Sequence, residues 1–279
     1  MTGAPPLFDR ALGAERTRRK RGAEPNILTR TIAEELAERL AFVNRRFERV
    51  LLIAAEPEAI AARLTEGGQV KEVKTGLPSA GDHLDLGEAA FDAVFSVLDL
   101  QTFNDVPGAL IQMRRALKPD GLLLACLFAG NTLNELRQSW LAAESAVAGG
   151  VSPRVAPMID VRELGALLQR AGLALPVADL DRTIVRYADA VALIHEIREL
   201  GLSNNLVGRS RTPVSRRLLG AAVNHYQHNF ADADGRIRAT VEVAWITGWA
   251  PHESQQQPLK PGSAKARLAD ALKVDEQKL

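Results

Sequence analysis

Apolar and polar positions alternate along this chain between two periods, a continuous or two-residue period typical of strands and a helical period of 3.6. Val50, Leu51, Leu52 and Ile53 form an unbroken apolar run, the pattern of a strand covered on both faces, so residues 49–54 are read as a strand. Pro57 is suited to the first turn of a helix, predicted over residues 57–64. Further strands are predicted at 70–74, 91–97 and 121–127, with a helix at 107–117 and a turn at 118–121. Upstream, Ile27, Ile32, Leu36, Leu40 and Val43 have helical spacing within residues 26–44. Strands alternating with helices predict a mostly parallel sheet with helices on both faces.

The second half is more helical, with apolar spacing that predicts helices at 131–147, 160–171, 189–200 and 213–230, together forming a helical cap over about 131–230. Short strands are read at 174–180 and 184–187, and a long one at 237–249. Between residues 64 and 91 the chain is too short for a strand, a crossover helix and another strand, which need ~30 residues or more. Gly76, Pro78, Gly81 and Gly87 also disfavour a long helix there, so the crossover is expected to be rudimentary. The organisation expected is a flexible basic N-terminal arm at 1–25, an α/β domain at 26–251 and a C-terminal arm at 252–279 with a last helix near 264–272.

Composition narrows the function less than the pattern does. The 279 residues carry 35 Lys and Arg against 34 Asp and Glu, so a net charge of +1 gives no global attraction to nucleic acid. The run ERTRRKR at 15–21 is read as a solvated face, with an acidic partner or anionic lipid as the alternative, so any membrane contact is peripheral. The single cysteine, Cys126, lies in an apolar run and is expected to be a buried, inert thiol; no intrachain disulfide is possible. No apolar stretch reaches the ~18 residues that span a bilayer, and no secretion signal is seen, which leads to the expectation of a cytoplasmic protein.

Candidate chemistry begins at the turn after the first strand. A strand, tight turn and helix often cradle a ligand through glycines and free amides, but this turn is Ala54, Ala55, Glu56, Pro57 and Glu58. Its two carboxylates complement the helix dipole themselves and repel an anionic group. At 131–137, Asn131, Thr132, Glu135 and Arg137 follow a strand end, where open α/β sheets bind ligands; helix capping by Asn131 or Thr132 with Glu135 explains them equally well. Arg137 suits a bidentate carboxylate contact or an exposed position. His252 and Glu253 are candidates for an acid/base pair or for hydrogen bonds pinning the tail. His225 and His228 stand three apart on a helix but lack a third ligand nearby, so no metal is expected.

Several stretches together carry a resemblance to a known family. They are LFDR at 7–10, ND.P at 104–107, LKPDG at 117–121, GNTLNELR at 130–137, GGVSP at 149–153, LLQRAGL at 167–173 and WITGWAPHESQQQP at 245–258. LKPDG marks the superfamily, whereas GNTLNELR and the Trp-x-x-His-Glu-Ser-Gln stretch are more specific. The chain resembles the class I S-adenosylmethionine-dependent methyltransferases, in the branch of complex I assembly factors that hydroxylate an arginine, and their bacterial relatives.

The resemblance implies a doubly wound, mostly parallel, seven-stranded sheet, with S-adenosylmethionine at the carboxyl ends of its strands and Asn131, Thr132, Glu135 and Arg137 toward the substrate. It places the cofactor pocket at Ala54, Glu56, Glu58, Glu72, Lys74, Asp82, Asp85 and Ser96, with His252, Glu253 and Arg137 as candidates for catalysis. Against that template the chain departs three times. Ala54, Glu56 and Glu58 replace the glycine-rich loop, Lys74 stands near where a carboxylate should grip the ribose, with Glu72 as the nearest substitute, and the third strand lacks room. Losing a charge-assisted pair costs ~1.5–3 kcal/mol, so weak or vestigial cofactor binding is the expectation. The function expected is to act on or chaperone a protein subunit of the respiratory NADH-quinone oxidoreductase. Active S-adenosylmethionine-dependent methyl transfer and protein arginine hydroxylation are the alternatives.

Overall fold

A computed structural model describes residues 5–19 and 26–256 of the chain. Six strands form one sheet in the order β2-β1-β3-β4-β6-β5: β1 Phe47–Ile53, β2 Val70–Gly76, β3 Phe91–Val97, β4 Leu117–Phe128, β5 Ala174–Tyr187 and β6 Ile237–Trp249. The first four are mutually parallel, and β6 pairs antiparallel with both β4 and β5. The apolar run 50–53 is buried throughout, as its position between β2 and β3 requires.

The expectation of seven strands is corrected to six among the described residues. Residues 77–90, which connect β2 to β3, contain neither helix nor strand, and the segment is too short to supply both. Two smaller differences come from pairing. β2 runs two residues beyond Lys74 because Thr75 and Gly76 continue its ladder opposite Leu52 and Ile53. The segment read as two short strands at 174–187 is one strand, since its ladder with β6 continues through Asp181, Arg182 and Thr183.

Eight helices are described: α1 Arg10–Arg19, α2 Ile27–Ala41, α3 Pro57–Glu66, α4 Val106–Ala116, α5 Asn134–Val147, α6 Val161–Arg170, α7 Ala190–Glu199 and α8 Arg216–Phe230. Their starts follow side-chain capping: Asn26, Asp105, Asp160, Asp189 and Ser215 each accept a hydrogen bond from an amide in the first turn. On one face of the sheet α4 and α6 bury Leu110, Met113, Leu164 and Leu168. On the other, α2 and α3 bury Ile32, Leu36, Ile60 and Leu64 against Phe47, Phe95 and Trp245. Helices α5, α7 and α8 form a third cluster over the start of β6, around Trp140, Leu193 and Tyr226. Inside the stretch expected to be an N-terminal arm, α1 is helical and Phe8, Arg10 and Ala14 are buried. The expected C-terminal helix at 264–272 lies outside the described residues.

Candidate functional site

A cavity of about 410 Å³ opens at the carboxyl ends of the parallel strands. Its floor is made by Ala54, Ala55 and Glu56 after β1, Pro78 and Ser79 after β2, Val97 to Asp99 at the end of β3, and Phe128 and Thr132 at and after the end of β4. Residues of α1 and α2, including Arg10, Ile32 and Glu35, form one wall; Asp181 and Thr183 of β5 and Glu196 of α7 form another. This is where an open α/β sheet places a ligand, because the loops diverge there.

The turn after β1 is built without left-handed backbone. Glu56 has φ −125°, no residue from 54 to 58 has positive φ, and the Ala54 amide donates to the Gly76 carbonyl at 3.1 Å. The first turn amide is therefore committed to β2. Glu56 stands at the N-cap position of α3 yet makes no capping bond with its side chain, and its Oε2 is buried with no hydrogen-bond partner among the described residues. Glu58 is exposed on the first turn of α3 and does not line the cavity.

Arg10 reaches the same region from the N-terminal segment. Its guanidinium bonds to Thr102 Oγ1 at 2.7 Å, Ser79 Oγ at 3.1 Å and the Gly81 carbonyl at 3.1 Å. It pairs with Asp99 at 3.4 Å and Asp82 at 3.5 Å, and lies 3.5 Å from the centre of the Phe103 ring. Burial pushes the Asp99 carboxyl above the ordinary carboxylate range, with Arg10 opposing that rise. The segment is held there by Asn104, whose Oδ1 accepts from the amides of Leu7 and Phe8 at 2.8 Å each and whose Nδ2 donates to the Phe8 carbonyl. Two stretches noticed separately in the sequence, LFDR and ND.P, thus meet in space.

The remaining positions assigned to the cofactor pocket are scattered. Glu72 and Lys74 are exposed on β2, short of its carboxyl end, and neither lines the cavity. Asp82 accepts from the Asn104 amide at 3.1 Å as well as pairing with Arg10, and Asp85 is exposed; both lie off the cavity lining. Ser96 is buried within β3, its Oγ without a partner among the described residues. In the family the adenosyl cofactor needs close backbone approach at the first turn and a carboxylate after the second strand. Here the first turn presents a carboxylate oxygen, and β2 ends in Thr75 and Gly76. These residues do not fit that cofactor in its usual pose.

Of the substrate candidates, Thr132 lines the cavity, but its hydroxyl lies 2.8 and 2.9 Å from the Ala129 and Glu242 carbonyls, which share its one proton, and it accepts from the Glu242 amide. The Asn131 amide donates to Glu242 Oε2 at 2.7 Å, Glu135 accepts from the Thr240 amide at 3.1 Å, and Arg137 donates to the Ala156 carbonyl at 2.9 Å. The N-cap position of α5 is Leu133, at φ 56°, with no side-chain capping bond, so capping by Asn131 or Thr132 is corrected to anchoring on β6. His252 and Glu253 are exposed beyond β6, beside residues 118–121, which begin β4 rather than forming the expected turn, and at the opposite end of the sheet from the cavity. Gln255 pins this segment through Asp120 Oδ1 and the Ala250 carbonyl, both at 2.8 Å. His225 meets Ser139 Oγ at 3.2 Å, and no three His, Cys, Asp or Glu residues are grouped to hold a metal among the described residues.

Three further cavity residues carry no local sequence signal. Glu35 lies on α2, where burial raises its carboxyl above the ordinary range; a hydrogen bond with Asp181 acts the same way and Arg39 opposes both. Gln101 is 8% exposed, donates through Nε2 to the Leu98 carbonyl at 2.7 Å, and leaves Oε1 without a partner among the described residues. Arg10 was visible only as part of a motif, because its partners lie 69–92 residues away.

Comparison with known proteins agrees with this architecture. A family model described as a methyltransferase domain matches residues 33–125. A structure of a methyltransferase from Bacillus halodurans superposes with a TM-score of 0.50 at 11% identity, covering 78% of this chain and 98% of that one, a likeness of fold alone. The arginine-hydroxylase NDUFAF5 of Danio rerio is 36% identical over 193 residues, 69% of this chain and 60% of the relative. The chain thus spans under two thirds of that relative's length. The rat protein of the same name, from Rattus norvegicus, is 31% identical over 292 residues, 97% of this chain and 85% of the relative. Both relatives are named as mitochondrial, which overturns the expectation of a cytoplasmic protein. No helix among the described residues is long and apolar enough to cross a membrane. With a relative matched along most of both chains and the methyltransferase fold beneath it, the chain belongs to the arginine-hydroxylase NDUFAF5 family.

Proposed function

We propose that this chain is a methyltransferase-fold protein whose S-adenosylmethionine site has been remodelled, and that it acts on or chaperones a protein subunit of the respiratory NADH-quinone oxidoreductase. The observation that carries the first half is Glu56: a carboxylate with a buried, unpartnered oxygen stands where the family's loop lets a cofactor approach the backbone. The same turn commits its first amide to β2, and the Arg10–Asp99 pair engages the carboxylate at the end of β3. Membership of the NDUFAF5 family and the resemblance to complex I assembly factors support the partner half.

In this reading the cavity residues do not transfer a methyl group. Arg10 holds the N-terminal segment over the strand ends, and Arg39 ties Glu35 of one wall to Asp181 of the other through ion pairs at 3.0 and 2.7 Å. The outer faces of the cap then meet the subunit. Active methyl transfer is the alternative supported by the match to a methyltransferase domain, and arginine hydroxylation the one supported by the relatives' names.

The test is ligand-dependent stability and partner capture on the same preparation. A ligand that binds only the folded chain at ~100 times its Kd adds ~2.7 kcal/mol. No change in Tm is expected with millimolar S-adenosylmethionine or S-adenosylhomocysteine, and a saturable rise would overturn the remodelled site. Co-purification from the native cell is expected to bring down a subunit of the NADH-quinone oxidoreductase; its absence from crosslinked preparations would overturn the partner half.

A further inference from the structure

We propose that the cavity binds a small organic cation with an apolar body, an alkylammonium, with Glu56 as its charge partner and Gln101 as a second acceptor lining the same cavity. This rests on the reading of the cofactor site as remodelled and names what the remodelled site takes instead.

The charges lining the cavity are lopsided. Its carboxylates are Glu35, Glu56, Asp99, Asp181 and Glu196; its cations are Arg10 and Arg154. Both cations are engaged, Arg10 by Asp82 and Asp99 and Arg154 by Glu144. Glu35 and Asp181 share Arg39, and Asp99 has Arg10. Glu56 is different, because its Oε2 is buried and without a hydrogen-bond partner among the described residues. A buried carboxylate oxygen in that state is costly, and native proteins satisfy such groups through a partner, a water or a ligand.

The second unsatisfied group is of the same kind. Gln101 is 8% exposed, lines the cavity and leaves Oε1 without a partner, while its amide nitrogen is held by Leu98. The unpartnered atom of each, Glu56 Oε2 and Gln101 Oε1, is a hydrogen-bond acceptor. An ammonium has three donors and no acceptor, so it suits acceptors of this kind; a phosphate or carboxylate does not. The rest of the lining sets the body of the ligand, for Ile32, Ile60, Val97, Phe128 and Val243 are apolar and buried. A volume of about 410 Å³ falls within the ordinary range for small-molecule sites, which combine apolar walls with a few placed polar groups.

The experiment titrates the full chain with n-hexylammonium, n-hexanol and hexanoate at pH 7 by calorimetry, alongside the Glu56→Gln and Gln101→Leu variants. Glu56 makes no capping bond, so its replacement leaves the start of α3 intact. Hexylammonium is expected to bind at least tenfold more tightly than hexanol and hexanoate. Glu56→Gln is expected to remove that advantage while leaving hexanol unchanged, and Gln101→Leu to weaken the amine severalfold. Failure of hexylammonium to bind, equal binding of hexanol, or an amine affinity untouched by Glu56→Gln would each overturn the proposal. S-adenosylmethionine titrated separately tests the preceding reading: its binding counts against remodelling, whereas an amine that does not bind overturns only the ligand assignment.

Discussion

Replacing Arg10 by alanine removes the guanidinium that faces Asp99. The Asp99 side chain is 3% exposed, as is that of Arg10, so the change strands a carboxylate where water does not reach it. Breaking a buried pair by deleting one partner costs ~3–5 kcal/mol. Loss of the contact 3.5 Å above the Phe103 ring adds to this, by ~0.5–2 kcal/mol for a cation over an aromatic face. Together these come to ~3.5–7 kcal/mol, and at ~2–4 °C per kcal/mol for a chain of this size the Tm of Arg10→Ala is expected to fall by about 7–28 °C. Two controls separate the stranded charge from simple loss of packing. Asp99→Asn placed on the Arg10→Ala background removes the charge and is expected to restore ~1–3 kcal/mol. The pH dependence gives the sign independently. Burial raises the Asp99 carboxyl in the folded chain, so its contribution is fully present below the unfolded value of ~3.9 and is lost as pH rises through the folded value. Without Arg10 to oppose that rise, the penalty of Arg10→Ala is expected to be larger at pH 7 than at pH 4. Urea denaturation of the unsubstituted chain, Arg10→Ala and the double variant at both pH values measures all three quantities. A penalty below ~1 kcal/mol at pH 7, or a double variant no more stable than Arg10→Ala, refutes the role given to this pair.

Three more outcomes are expected from the structure. Cys126 is fully buried and burial pushes its thiol up to about 12, so Ellman's reagent at pH 8 is expected to label the unfolded chain stoichiometrically and the folded chain on the unfolding timescale; rapid labelling of the folded chain would contradict its placement in β4. Gly130→Ala is expected to destabilise by ~1–3 kcal/mol in chemical denaturation, because Gly130 has φ 54° and an added Cβ would meet Glu242 Oε2 at 2.0 Å; a neutral result would mean that Glu242 does not hold the Asn131 amide. At Glu144, burial acts to raise the carboxyl, but bonds from the Ser152 amide and hydroxyl and from Arg154 outweigh it and hold the group below its ordinary range. The stability this gives is present above the unfolded value of ~4.3 and is lost as pH falls through the folded value, so the deficit of Arg154→Met in urea melts is expected to shrink between pH 7 and pH 3; a constant deficit would refute the pairing.

Where the sequence was readable and where it was not follows from the distance over which each residue is held. β3 and β6 were placed to the residue, because Phe91–Val97 and Ile237–Trp249 carry their own apolar pattern. The carboxyl end of β2 and the middle of β5 were misjudged because Thr75, Gly76 and the polar run at 181–183 are strand only by virtue of their partners on β1 and β6. The same contest decided residues 131–135. A local reading offers Asn131, Thr132 and Glu135 as helix caps, but Thr132 and Glu135 bond to Glu242 and Thr240, more than 100 residues away, and the chain turns through Leu133 instead. The site divides along this line too. Glu56 was visible as a departure from the family's glycine loop, since it sits beside the strand that positions it. Gln101 and Glu35 were silent, since neither has a local signature, and nothing in LFDR says that its arginine will cross to residues 79–102. That division changes what Glu56 means. Read along the chain, it is a missing glycine and counts as a loss. Set beside a second buried acceptor and two engaged arginines, it supplies a negative charge to an apolar cavity, and the physical question becomes which cation it was placed to hold.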